Sequence, residues 1–257
     1  KMKTFIPNNR YKKIITIDSH TAGEPFRVIT SGVPEPLGKT ILEKRRYAKK
    51  YLDGIRKILM YEPRGHADMY GCIVTKPVTK DADFGILFIH NEGFSTMCGH
   101  GIIAITTIAV ETGFVKIKTP GQKIRIDTPA GLVTAIPNMI EDRVTSVSFT
   151  NVPSFALELG KVTYDLGFGG AFYAFVNARD LGLCCTPEYF PELVQKGRRI
   201  KNAIMASKKI IHPLEKDLVE KDLGFLYGTI FVDDPELENI HSRHCCIFAE
   251  GEVDRSP

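Results

Sequence analysis

Short apolar runs separated by polar, glycine- and proline-bearing turns fill most of this chain, and a few longer stretches keep helical spacing instead. In the N-terminal part, residues 14–17 and 26–30 read as strands around a polar turn at 18–25, and 71–74 and 84–90 as strands around 77–83. Residues 40–59 are different. Ile41, Ala48, Leu52, Ile55 and Leu59 recur at helical intervals, Lys44, Arg45, Lys49 and Lys50 fall on the other side, and Thr40 with Glu43 has capping-box spacing. This predicts an amphipathic surface helix with a solvated basic face. Residues 102–112 are almost wholly apolar and stop at Gly113, which predicts a buried helix with a glycine C-cap. Strands follow at 123–127, 132–136 and 144–149. The C-terminal part repeats the rhythm with strands at 161–166, 171–176, 225–232 and 245–248 around a helix from Thr186 to about residue 208, which His212-Pro213 closes off. Strand-rich segments punctuated by a few helices predict an α+β fold.

The 257 residues, 43% of them hydrophobic, suffice for one large domain or two ordinary ones. A net charge of +4 is mild, and its basic residues concentrate in 39–57 without the aromatic or glycine-rich partners of a nucleic-acid surface. Nucleic acid is therefore not an expected partner. The longest apolar segment, near 102–110, is too short to span a bilayer, and the N-terminus lacks an apolar signal-peptide core, so neither a membrane role nor secretion is expected. Of the six cysteines, four form the adjacent pairs Cys184-Cys185 and Cys245-Cys246, which are poor disulfide partners. A reducing compartment, the cytoplasm, is expected.

Candidate chemistry centres on Cys98. The strand 84–90, a polar turn and the helix from 102 place it at a helix entrance, where exposed amides and the positive dipole end should shift its thiol below the ordinary value of about 8.5. Gly99 and Gly101 leave those amides open to an anion such as a carboxylate. The competing reading is a small buried hydrophobe. His66 and Asp68 could form an acid/base pair, although an ion-pair cluster with Arg64 suits them better. His241, His244, Cys245 and Cys246 offer four metal-ligand types, but adjacent cysteines on a strand point to opposite faces, so no metal site is expected.

Met97-Cys98-Gly99-His100, Asp18-Ser-His-Thr-Ala-Gly-Glu-Pro25, Glu62-Pro-Arg-Gly-His66 and Asp254-Arg255-Ser256-Pro257 together resemble the proline racemase superfamily of racemases, hydroxyproline 2-epimerases and trans-3-hydroxy-L-proline dehydratases. Asp127-Thr-Pro-Ala-Gly-Leu-Val133, Asn151-Val-Pro-Ser-Phe155 and Gly169-Gly-Ala-Phe172 extend the resemblance along essentially the whole chain. It implies two pseudo-symmetric α/β halves of the diaminopimelate-epimerase type with the active site in the cleft between them. The halves would be 1–150, carrying Cys98, and 151–257, truncated after the Asp-Arg-Ser-Pro motif. It further implies no metal or organic cofactor, a small imino-acid substrate (proline or hydroxyproline) and a homodimer.

The same resemblance implies that Cys98 is an acid/base residue, that Gly99 and His100 hold the substrate carboxylate, that Asp254 holds the ring nitrogen, and that His212 lines the pocket. The family's second acid/base residue would follow Pro257, as cysteine in racemases and epimerases and threonine in dehydratases. Two facing thiols racemise, because one takes the α-proton and the other returns one from the far face. With the second thiol replaced by a hydroxyl, a substrate carrying a β-hydroxyl can lose water instead. Phe168-Gly-Gly-Ala-Phe-Tyr-Ala-Phe-Val176, Asp222-Leu-Gly-Phe-Leu-Tyr-Gly-Thr-Ile230 and Lys44-Arg-Arg-Tyr47 look more like the dehydratases. The expected reaction is dehydration of trans-3-hydroxy-L-proline to pyrroline-2-carboxylate, with proline racemisation or 4-hydroxyproline epimerisation as the alternative.

Overall fold

The computed structural model describes residues 8–159, 164–207, 209–215, 222–235, 238 and 240–254. Two sheets follow one another along the chain. Strands β1 (Ile15–Thr21), β2 (Glu24–Ser31), β3 (Tyr70–Thr75), β4 (Phe84–His90), β5 (Ile124–Thr128), β6 (Gly131–Ile140) and β7 (Arg143–Thr150) lie side by side in sequence order. Within this sheet β2–β3 and β4–β5 are parallel and the other neighbours antiparallel. The second sheet contains β8 (Phe155–Leu159), β9 (Asp165–Phe168), β10 (Phe172–Asn177), β11 (Leu226–Asp233), β12 (Arg243–Phe248) and β13 (Glu252–Val253), again in sequence order, with β10–β11 parallel. The mixed α+β class expected from the patterning is the class observed.

The polar stretch 18–25 is mostly strand. β1 runs on to Thr21 and β2 starts at Glu24, leaving Ala22 and Gly23 as a two-residue turn. Both have positive φ, 48° and 98°, the combination a tight hairpin needs. Asp18 is tolerated in the strand because Arg27, directly opposite, donates to both its carboxylate oxygens at 2.7 Å. Nearby, the His66 ring Nδ1 accepts the Asp68 N–H at 3.3 Å.

The basic helix divides at Leu52 into α1 (Ile41–Tyr51) and α2 (Asp53–Met60). Thr40 caps α1 by accepting the Glu43 N–H, as the spacing predicts. Its basic face, however, is not simply solvated. Lys44 is buried and donates to Glu35, Thr75 and the Lys76 carbonyl, while Arg45 reaches inward to the Phe94 carbonyl. Long side chains can follow apolar surface and deliver their charge to buried acceptors, which helical spacing alone does not reveal.

The remaining helices are α3 (Gly99–Glu111), which packs against β1, β2, β6 and β7, and α4 (Phe190–Ser207), which packs against β11 and β12. A single turn of 3-10 helix, Pro187–Tyr189, precedes α4 where the sequence placed a helix start at Thr186. The alternating stretch expected at 161–166 falls partly outside the described residues. Phe26, Phe88 and Ile102 from the first sheet and its helix share one continuous apolar core with Phe168, Phe172, Leu226 and Phe248 from the second. The boundary between the sheets is thus itself a packed interior, crossed by hydrogen bonds from Thr96 Oγ1 to the Gly170 carbonyl (2.6 Å) and between the Tyr70 and Tyr227 hydroxyls (2.9 Å).

Candidate active site

Cys98 is the N-cap of α3. Its backbone is extended (φ −153°, ψ 112°), and its Sγ accepts the Gly101 N–H at 3.3 Å, taking the place a serine or aspartate oxygen usually holds. The turn that delivers it from β4 is pinned at several points. Arg56 donates to the His90 carbonyl at 2.8 Å and also to the Asn91 carbonyl, Arg45 to the Phe94 carbonyl, and Asn91 Nδ2 to the Met60 and His66 carbonyls. The Ala130 N–H donates to the Thr96 carbonyl at 3.1 Å. The two arginines of α1 and α2 therefore hold the approach to the thiol, a role their place in a basic helix did not announce.

Around Cys98 is a cavity of about 140 Å³. Tyr70, Met97, Cys98, Gly99 and His100 line it from the first sheet and α3, and Gly169, Ala171, Tyr173, Tyr227, Phe248 and Asp254 from the second. Cys98, Gly99, His100 and Asp254, 156 positions apart at the extremes, thus meet at one cleft. The Asp254 N–H donates to the Cys246 carbonyl at 3.0 Å, anchoring the chain just after β13. Arg255, Ser256 and Pro257 lie outside the described residues.

The electrostatics correct one expectation. The Cys98 thiol is pushed well above its ordinary value, because burial outweighs the Gly101 N–H and the Tyr70 hydroxyl, which both favour the thiolate, while the charges of Asp254 and Glu24 oppose it further. A helix entrance acidifies a thiol that water can reach; this one is enclosed. His100 Nδ1 stands 3.3 Å from Cys98 Sγ, and burial holds the imidazole below its usual range, partly countered by Asp254 and a backbone hydrogen bond at Pro25. A neutral imidazole beside a protonated thiol is a pair that can exchange a proton.

Two further expectations change. Gly99 does line the cavity, whereas a Cβ on Gly101 would meet the Phe26 ring at 2.6 Å and Phe88 at 3.0 Å. Gly101 is required by the core and not by a ligand. Gly101→Ala should therefore destabilise the fold by about 1–3 kcal/mol despite alanine's better helix propensity, since two buried rings must shift; chemical denaturation would register it, and unchanged stability would refute the packing role. His212 is not among the residues lining this cavity. It is buried among Phe168, Phe155 and Phe172 at ring-centroid distances of 4.6, 5.3 and 6.0 Å, and its Nδ1 accepts the Leu214 N–H. Apolar neighbours hold its pKa below the usual value.

Along β12, Cys245 and Cys246 do face opposite ways, Cys245 toward the α4 side with Val176 and Phe231, Cys246 into the central core. Among the described residues no three His, Cys, Asp or Glu side chains are placed to hold a metal ion, and no helix is long and apolar enough to cross a membrane.

Residues 16–257 match the sequence profile of the proline racemase family. The chain belongs to that family. Family members similar to it include a trans-3-hydroxy-L-proline dehydratase from Bacillus cereus, 48% identical over 94% of this chain and 73% of that protein. A 3-hydroxyproline 2-epimerase from Burkholderia multivorans is 40% identical over 96% and 75%. Among solved structures, a hydroxyproline epimerase from Agrobacterium vitis with bound trans-4-hydroxy-L-proline superposes with a TM-score of 0.84 at 28% identity, covering 95% of this chain and 72% of that one. The two-sheet architecture of this protein is therefore the architecture of proline racemase family enzymes.

Proposed function

We propose that this protein dehydrates trans-3-hydroxy-L-proline to pyrroline-2-carboxylate without a cofactor, with Cys98 removing the α-proton. The observation that carries the reading is the cavity in which Cys98, its imidazole neighbour His100 and the carboxylate Asp254 meet. The near-half identity to a dehydratase supports that reaction over the isomerase alternative.

Each group has a part that follows from its chemistry. The Gly99 and His100 segment opens α3, where unpaired N–H groups and the dipole favour a substrate carboxylate. As the α-proton leaves, negative charge spreads into that carboxylate, so the same donors stabilise the carbanion more than the ground state. Asp254 is assigned the ring nitrogen. Burial first, and the Asp254 charge in addition, disfavour the Cys98 thiolate; a cationic ring nitrogen beside Asp254 offsets the charge contribution and favours the thiolate as substrate binds. His100 accepts the thiol proton. His212, enclosed by three phenylalanines, receives no part. Free cysteines suit a reducing compartment, and a cytoplasmic homodimer is the assembly we infer from the family resemblance.

The epimerase relative keeps a second reading in view, in which two thiols invert the α-carbon of proline or 4-hydroxyproline. Incubating the complete protein with trans-3-hydroxy-L-proline should yield pyrroline-2-carboxylate, seen after reduction as proline. Inversion at the α-carbon of proline or 4-hydroxyproline, with no pyrroline carboxylate, would replace the dehydratase reading by the isomerase one.

A further inference from the structure

We propose that Tyr70 is the acid that protonates the leaving hydroxyl, so that the thiol and the phenol act together from one face of the substrate ring. This assignment rests on the dehydratase reading. In trans-3-hydroxy-L-proline the 3-hydroxyl is on the opposite ring face from the carboxylate and hence on the same face as the α-hydrogen. A base that reaches the α-hydrogen therefore has the leaving hydroxyl on its own side, and an acid is needed there because hydroxide is a poor leaving group.

Tyr70 is the group so placed. It lines the cavity beside Cys98, and its hydroxyl is among the groups that favour the Cys98 thiolate. Burial pushes the phenol well above its ordinary value, which keeps it protonated and a donor. Hydroxide is more basic still and can take that proton. Behind Tyr70 its oxygen is held by the Tyr227 hydroxyl at 2.9 Å and by Ser95 Oγ, and two rings fix its plane, Phe26 at 6.3 Å and His90 at 5.4 Å. Three hydroxyls on one oxygen cluster can share a developing phenolate charge.

The step balances within these residues. The Cys98 thiolate takes the α-hydrogen as a proton. The electron pair left on the α-carbon becomes the double bond to C3, the C3–O bond breaks, and the departing oxygen takes the Tyr70 proton to leave as water. The Cys98 thiol then passes its proton to the Tyr70 phenolate, which lines the same cavity, restoring both groups. The enamine leaves and tautomerises. The rival is Cys98 alone, its thiol returning the abstracted proton to the hydroxyl.

Tyr70→Phe removes one oxygen and keeps the ring, and Ser95→Ala leaves Tyr70 in place while removing a partner. In deuterium oxide, Tyr70→Phe should lower dehydration about 100-fold or more, within the usual range for a general acid. Recovered trans-3-hydroxy-L-proline should meanwhile gain α-deuterium, so that the ratio of exchange to elimination rises at least about tenfold. Ser95→Ala should move that ratio the same way by about threefold. Dehydration at the unmodified rate would assign the acid role to Cys98 itself, and an equal fall in exchange and elimination would make Tyr70 a support for the thiol; either result overturns the proposal. If the unmodified protein forms no pyrroline carboxylate at all, the dehydratase reading falls first and the acid role with it.

Discussion

Cys98→Ser is expected to lower dehydration by at least about 10³-fold while leaving the fold intact, because a serine hydroxyl is many orders of magnitude less acidic than a thiol and His100 cannot deprotonate it. Cys98 caps α3 through the Gly101 N–H, and serine is among the preferred N-cap residues, so the helix loses nothing by the exchange. Thermal unfolding should be unchanged or slightly raised. Steady-state kinetics alongside a melting curve decides it: a serine variant keeping a tenth of the activity removes Cys98 from the base role, and an unfolded one shows that the cap was misjudged.

Asp254→Asn should move two properties of the same thiol in opposite directions. Besides burial, the Asp254 charge disfavours the Cys98 thiolate, so its removal lowers the thiol's pKa and shifts the pH profile of Cys98 alkylation by iodoacetamide, measured without substrate, to lower pH. The other groups facing the sulfur, His100 on α3, Tyr70 on β3, Glu24 on β2, Tyr173 on β10 and Tyr227 on β11, stay in place. At neutral pH and without substrate the variant should therefore be alkylated faster. If Asp254 holds the ring nitrogen as proposed, catalysis should fall, with kcat/KM down about 100-fold, since that nitrogen then loses a charged partner in an enclosed site. A variant that is slower in both assays would mean that Asp254 supports the local fold without acting on substrate or sulfur.

Much of the scaffold could be read from the spacing of apolar residues. The strand at 84–90 coincides with β4, whose seven residues are all buried, and the Gly113 stop of α3 falls within two residues of its end. The reading failed where polar residues sit in strands or charged ones turn inward. Asp18 and His20 make the second half of β1 read as a turn, whereas Arg27 stands opposite Asp18 and Ala22-Gly23 alone forms the turn. Lys44 and Arg45 fit a solvated helical face by spacing, whereas their acceptors, supplied by Glu35, Thr75 and Phe94, lie inward.

What the chain's order of residues determined by itself is local: a cysteine at a helix start, flanked by glycine and histidine, and family motifs in an unbroken order. Helix entry and apolar periodicity depend on neighbours within a few positions, so they survive without a fold. The tertiary structure decided which distant groups share the thiol's surroundings. Burial raised its pKa against the helix dipole, the Phe26 and Phe88 rings claimed Gly101 for the core, a phenylalanine cage took His212 from the cavity, and Tyr70 and Tyr227, 157 residues apart, closed a hydroxyl cluster behind the sulfur. Desolvation and pairwise electrostatics depend on everything within a few ångströms, and that neighbourhood exists once the two sheets have met.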